Sequence, residues 1–335
     1  MKPSSERVHE LQQLRELFLD VGIPSFLSPS TASVQSDPTN DPEVIGTRRT
    51  LFRLLCLGET VEYSAIDRIL PDEAIRALEQ VGIFQVNGEH LTLGEYRLVY
   101  HLGLFLFCHR ISAHAKFYYG TDSLALSRVL SPVTGTVLDL CAGVGAQSLF
   151  CARTASRVTA VEIEPLAEPI FWTNSAMNGL SENIEFLSGD LFAPVRERKF
   201  DRICANPPFL PVPPKVRFPL YAGGGGDGLE IVRRLLEGLP DHLSADGECQ
   251  IIASALGNSR GPNLSSLDDL PVTANLRIHV SCYTYEELSQ RTLSLFAATA
   301  LECNGSGDAS DEYRKHFREL DATHLYYFVL RACFA

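Results

Sequence analysis

Three carboxylates and one carboxamide stand where chemistry is easiest to build, each beside the end of an apolar run. Asp139 lies in TVLDLCAGVG (residues 136–145), Glu162 closes RVTAVE (157–162), Asp190 sits in SGDLF (188–192), and Asn206 opens Asn206-Pro207-Pro208-Phe209. An apolar run leading into a small-residue loop reads as a buried parallel strand turning into a helix. Gly143 and Gly145 let that turn bend sharply and approach a ligand where a Cβ would intrude, and Cys141 and Ala142 are small enough to serve the same end. A carboxylate roughly twenty residues past such a loop can accept hydrogen bonds from a ribose diol. That fits a nicotinamide dinucleotide or S-adenosylmethionine. Asp139 separates the two: its charge would oppose a pyrophosphate on the loop but suits an ammonium and a sulfonium. The methyl donor is the better match.

Asn206-Pro207-Pro208-Phe209 supplies the complementary chemistry. Two prolines in series remove two backbone donors and stiffen the chain, so the carbonyls and the Asn206 oxygen remain as acceptors. Two acceptors can hold the hydrogens of a planar amine or amide and aim its nitrogen at a methyl group. Phe209 offers a ring face to a planar group and to developing positive charge. Methyl transfer is an in-line displacement in which positioning supplies much of the rate.

With Tyr119-Gly120-Thr121-Asp122-Ser123 upstream, these pieces occur in order across residues 117–335. In that stretch the sequence resembles the class I S-adenosylmethionine-dependent methyltransferases. The likeness is strongest to the NPPF/NPPY branch, which holds release-factor glutamine methyltransferases and N6-adenine methyltransferases. Cys141 departs from the glycine usual there. The resemblance implies a donor site of Tyr119, Asp122, Ser123, Asp139, Cys141, Gly143, Gly145, Glu162, Asp190 and Asn206. In it, the Tyr119–Ser123 turn faces the methionine end of the donor and Asp190 accepts from the adenine amino group. Asn206, Pro207 and Phe209 are implied as the catalytic residues.

The elements that must hold these residues follow from periodicity. Strands and helices alternate from residue 136 onward, which implies a mostly parallel α/β sheet with ligands at the strands' carboxyl ends. The resemblance makes it a seven-stranded Rossmann-like sheet whose last strand is antiparallel and inserted beside its predecessor. Residues 1–46 read as a helix and a proline-rich linker. Residues 47–115 read as a smaller α+β, winged-helix-like domain that covers substrate or mediates assembly: helices at 47–57, 61–70 and 71–81, then a hairpin at Asn87-Gly88. Residues 96–108 read as one or two buried strands, and 116–335 as the catalytic domain. After Phe209 come a proline arm and four glycines (223–226), which read as a substrate lid with a glycine hinge. Lys215, Arg217 and Tyr221, with Phe209, are its candidate substrate contacts. Residues 304–310 read as a surface loop.

Composition narrows the partners. The formal net charge is −12 with no basic run, and the third helix of the N-terminal module is acidic, which disfavours a phosphate backbone. Nine scattered cysteines without a Cys-x-x-Cys pair argue for a reducing compartment and no metal site. No signal peptide or membrane span is read, so a cytoplasmic protein is expected. The expected reaction is N-methylation of a small molecule. Protein glutamine, nucleic acid, and S- or O-acceptors stay open as alternatives, as does a homodimer.

Overall fold

The computed structural model describes residues 2–27, 42–110, 112, 114–304 and 309–335. Most of the proline-rich segment and of the expected 304–310 loop lies outside them. The N-terminal part comprises α1 (Ser5–Asp20), α2 (Pro24–Leu27), α3 (Pro42–Leu51) running on into a wider π-turn (Phe52–Leu57), β1 (Val61–Glu62), α4 (Tyr63–Ile66) and α5 (Asp72–Gln80). The hairpin β2 (Gln85–Asn87) and β3 (His90–Thr92) then turns through Gly88 at φ 62°, and β1 pairs with β3 to complete a small antiparallel sheet. Residues 61–70, expected as one helix, divide into a strand and a single helical turn.

Residues 96–109 form a separate two-stranded hairpin, β4 (Tyr96–His101) and β5 (Leu104–His109). Its second strand, β5, is fastened to the catalytic part by two asparagines. Asn174 pairs with the N–H and carbonyl of Phe107 at 2.8 and 3.0 Å, and Asn178 does the same with Phe105 at 3.0 and 2.7 Å. Two carboxamides thus act as a neighbouring strand would, satisfying backbone groups that burial would otherwise leave costly. One apolar core runs from Leu11, Phe18 and Leu54 through Phe105 to Phe171 and Ala176. The expected boundary at 115/116 therefore cuts through shared packing, and α1 lies against both parts.

The remaining elements are α6 (Thr121–Val129), β6 (Thr136–Leu140), α7 (Ala146–Ala152), β7 (Arg157–Glu162), α8 (Ala167–Met177), β8 (Ile184–Ser188), β9 (Phe200–Ala205), α9 (Glu230–His242), β10 (Leu243–Asn258), β11 (Gly261–Pro262), α10 (Ser265–Asp268), β12 (Leu276–Glu287), α11 (Gln290–Asn304), α12 (Ser310–Glu319) and β13 (His324–Phe334). The main sheet has the order β12-β13-β10-β9-β6-β7-β8, with the short β11 appended to β10. Pairings from β10 to β8 are parallel, while β13 is antiparallel to both of its neighbours. The expected inserted last strand is present. Strand order reverses between β6 and β9, so the loops after these two strands part and leave a crevice at their carboxyl ends. Two helices, α11 and α12, separate β12 from β13. Among the described residues no helix is long and apolar enough to cross a membrane.

Candidate active site

The crevice opens into a cavity of about 550 Å³, a size that accommodates a drug-sized ligand. Its first wall is the turn after β6, where Cys141, Gly143 and Gly145 have φ of 58°, 51° and 93°. A Cβ added at Gly143 would approach only Phe117 Cβ, at 4.0 Å, so the backbone there stays open to a ligand. Cys141 holds a left-handed conformation that disfavours any side chain, which explains why glycine is usual at this position. Glu162 ties the turn to β7. Its carboxylate accepts from the Gly143 N–H at 2.8 Å and from the Glu164 N–H at 2.8 Å, and burial pushes its carboxyl pKa up. It lines the cavity, with lone pairs left for a diol. Asp190 lines the same end and is held by Arg234 at 2.6 Å.

Asn206 is fixed more tightly than the sequence suggested. Its Nδ2 donates to Asp122 Oδ2 at 2.8 Å and to Ser123 Oγ at 3.0 Å. The carboxylate can only accept, so the carboxamide's orientation is dictated by chemistry. Among the described residues, Oδ1 accepts no hydrogen bond. Beyond Asn206 the wall becomes aromatic: Phe209 meets Tyr327 edge-on with centroids 6.2 Å apart, and Tyr118 stacks on Tyr221 at 5.9 Å. The Tyr221 hydroxyl donates to the Ser112 carbonyl at 2.9 Å, which links the proline arm to the N-terminal part.

Of the expected donor residues, Asp122, Ser123, Cys141, Gly143, Glu162, Asp190 and Asn206 line the cavity, as do Pro207, Phe209 and Tyr221. Five others do not. Asp139 is buried beneath the loop, accepting from Ser148 Oγ at 2.5 Å and Cys204 Sγ at 3.6 Å, and burial pushes its carboxyl pKa up to about 7. It is spent on holding the loop and offers no open charge to a ligand. Gly145 is required by packing, because a Cβ there would come within 2.8 Å of the Phe171 ring. Tyr119 turns into the interior beside His101, with centroids 5.5 Å apart, and its neighbour Tyr118 faces the cavity instead. Lys215 and Arg217 are exposed on the arm and do not line the cavity, while Leu210 and Phe218 do.

In the stretch read as a glycine hinge, Gly224 is closely packed. The Gly224 N–H donates to the Leu210 carbonyl at 2.8 Å, and a Cβ on Gly224 would lie 2.5 Å from Phe209 Cα. Gly224 lets two backbone segments pack closely beside Phe209. Phe192 stacks on His242 with centroids 4.5 Å apart.

The sequence reading missed Tyr118, Arg234, Tyr283, Phe296 and Tyr327, all of which line the cavity. Only Tyr118 adjoins a motif, one residue before Tyr119. The others come from helices and strands far along the chain and carry no local signal.

Residues 108–260 match the model of the family described as the methyltransferase small domain. The chain is 34% identical over 154 residues to a Methanocaldococcus jannaschii protein provisionally named a protein N5-glutamine methyltransferase, covering 44% of this chain and 77% of that one. It is 36% identical over 141 residues to the ribosomal protein uL3 glutamine methyltransferase of Bradyrhizobium diazoefficiens, covering 39% of this chain and 44% of the relative. To the release factor glutamine methyltransferase of Moorella thermoacetica it is 34% identical over 142 residues, covering 39% and 49%. The match thus spans about half the length of these two bacterial relatives. Trm5b of Pyrococcus abyssi superposes with a TM-score of 0.43 at 16% identity, over 79% of this chain and 71% of that one. The bacterial relatives are named for protein acceptors, which overturns the expectation of a small-molecule acceptor.

Proposed function

Because the chain belongs to the class I S-adenosylmethionine-dependent methyltransferases of the release factor glutamine methyltransferase type, we propose that it methylates the side-chain amide nitrogen of a glutamine in a protein. The observation that carries this reading is the clamped Asn206 carboxamide, with its free oxygen turned out of the Asp122–Ser123 pair. A primary amide presents two N–H groups in one plane. Asn206 Oδ1 and the Pro207 carbonyl, neither hydrogen-bonded among the described residues, are two acceptors that match them. Holding both hydrogens draws electron density toward a nitrogen whose lone pair is otherwise delocalised into its carbonyl. Phe209 and the neighbouring aromatic wall confine the planar group and exclude water.

S-Adenosylmethionine supplies an electrophilic methyl on sulfonium and a good thioether leaving group. At the other end of the cavity Glu162 would accept from the ribose hydroxyls, Gly143 would leave room for the chain of the donor, and Asp190 would meet the adenine. With the donor bound, the nitrogen held by Asn206 and Pro207 would take the methyl with loss of the thioether, and the surplus amide proton would leave to solvent as the product is released. No strong base is required, so positioning carries the rate.

The test is methylation of glutamine-containing segments of ribosomal protein uL3 and of a release factor by the whole chain with S-adenosylmethionine. Fragmentation mass spectrometry should place one added methyl on a glutamine side chain. Methyl transfer to nucleic acid alone, or to another side chain in those segments, would refute the reading.

A further inference from the structure

We propose that Asp122 is a positioning residue of the methyl-transfer step, locking the Asn206 carboxamide so that its oxygen faces the acceptor. This deepens the glutamine reading above and rests on it for the identity of the acceptor, but the lock itself is a property of the chain.

A carboxamide has two nearly isosteric orientations that present opposite chemistry, an acceptor oxygen or a donor NH₂. Only the first can bind an incoming N–H; the second would set donor against donor. The side chain must therefore be told which way to point. Two groups touch Asn206 Nδ2, Asp122 Oδ2 at 2.8 Å and Ser123 Oγ at 3.0 Å. They are not equivalent. A hydroxyl can donate as well as accept, so Ser123 would tolerate either orientation. A carboxylate accepts only, and so Asp122 alone makes the choice.

The surroundings suit this task. Asp122 is buried at the start of α6, 7% exposed, and lines the same cavity. A buried carboxylate is costly unless hydrogen-bonded, and the Asn206 amide is one of its few donors. Burial raises the carboxyl pKa while the hydrogen bonds from Asn206, Tyr118 and the local backbone lower it. Carboxylate and carboxamide thus depend on each other across residues far apart in sequence. The ring of Tyr118 is in turn backed by Tyr221 at 5.9 Å, so the base of the lock abuts the proline arm.

Asp122→Asn keeps the size and removes the rule, since the new amide can donate to a flipped Asn206. The expected result is a fall in kcat of about 10²-fold, the scale of a misplaced reacting group, with KM for the glutamine segment and calorimetric affinity for S-adenosylmethionine nearly unchanged. The reciprocal pair Asp122→Asn with Asn206→Asp restores one donor facing one carboxylate. It should regain at least tenfold in kcat over Asp122→Asn alone, since hydrogen bonds to a charged group are among the stronger ones. Donor affinity falling in parallel with kcat would make Asp122 a donor ligand instead. A double variant that recovers its melting temperature but no turnover would make the pair structural. Both outcomes overturn the proposal.

A second readout needs no acceptor. With ¹⁵N-asparagine labelling, the Asn206 side-chain amide signals, identified by their loss in Asn206→Ala, should exchange slowly with solvent in the wild type and rapidly in Asp122→Asn. Equal exchange overturns the lock even if glutamine proves the wrong substrate. Slow exchange in a wild type that fails to methylate glutamine would retain the lock and reject only the acceptor.

Discussion

The two ends of the cavity are built by different means. At the donor end the working groups are backbone turns and carboxylates at the tips of adjacent parallel strands, and Glu162 ties two of those turns together through the Gly143 and Glu164 N–H groups. At the acceptor end the groups are side chains from separated segments: Tyr118 before α6, Phe209 after β9, Tyr221 on the arm, Tyr283 on β12, Phe296 on α11 and Tyr327 on β13. A site made from strand tips inherits its geometry from the sheet. A site made from side chains depends on how distant elements pack, and it can be altered without disturbing the first.

This contrast can be tested by substitutions that should hit one end alone. The largest effect is expected at Asn206→Ala, which removes an acceptor oxygen and should lower turnover by about 10²-fold or more. Donor affinity, measured by calorimetry, should hold. If both fall together, the two ends are one unit and the division fails.

Glu162→Gln probes the opposite end. The new amide keeps one acceptor but turns a donor toward an N–H that the carboxylate now satisfies. With hydrogen bonds to charged groups worth about 1.5–3 kcal/mol, donor Kd should rise roughly 10- to 100-fold. Turnover at saturating donor should stay near that of the wild type, and a large loss there would contradict the assignment.

Gly224→Ala acts on the joint behind Phe209. The added Cβ meets backbone at 2.5 Å, so something must shift, and overpacking of this kind costs about 1–3 kcal/mol. The melting temperature should drop, and acceptor KM should rise as Phe209 is displaced. An unchanged melting temperature would revive the hinge that the packing argues against.

The smallest effect is a gain. Cys141→Gly relieves a left-handed cysteine, and the saving is partly offset by the freer unfolded chain, so about 1 kcal/mol or less of added stability is expected. Denaturant titration should show it, with donor affinity unaltered. A loss of stability would mean that the Cys141 side chain packs better than its φ suggests.

What the sequence determined by itself was the donor end and the sheet that carries it. Strand tips, glycine turns and the spacing from Gly143 to Glu162 are properties of contiguous residues, and alternation of apolar runs with helices specifies a parallel sheet before any contact is known. Asn206-Pro207-Pro208-Phe209 was legible for the same reason. Tertiary structure alone decided the rest. Asp139 looks like a ligand on paper, yet it is buried under the loop because Ser148 and Cys204, nine and sixty-five residues away, claim its oxygens. Asp122 looks like part of the donor site, yet the fold brings it to Asn206, eighty-four residues on. The glycines after the arm look like a hinge, yet the backbone of Phe209 lies close against Gly224. In each case the partner lies far along the chain. Which residue meets which is then set by packing of whole elements, and a local pattern carries no record of it.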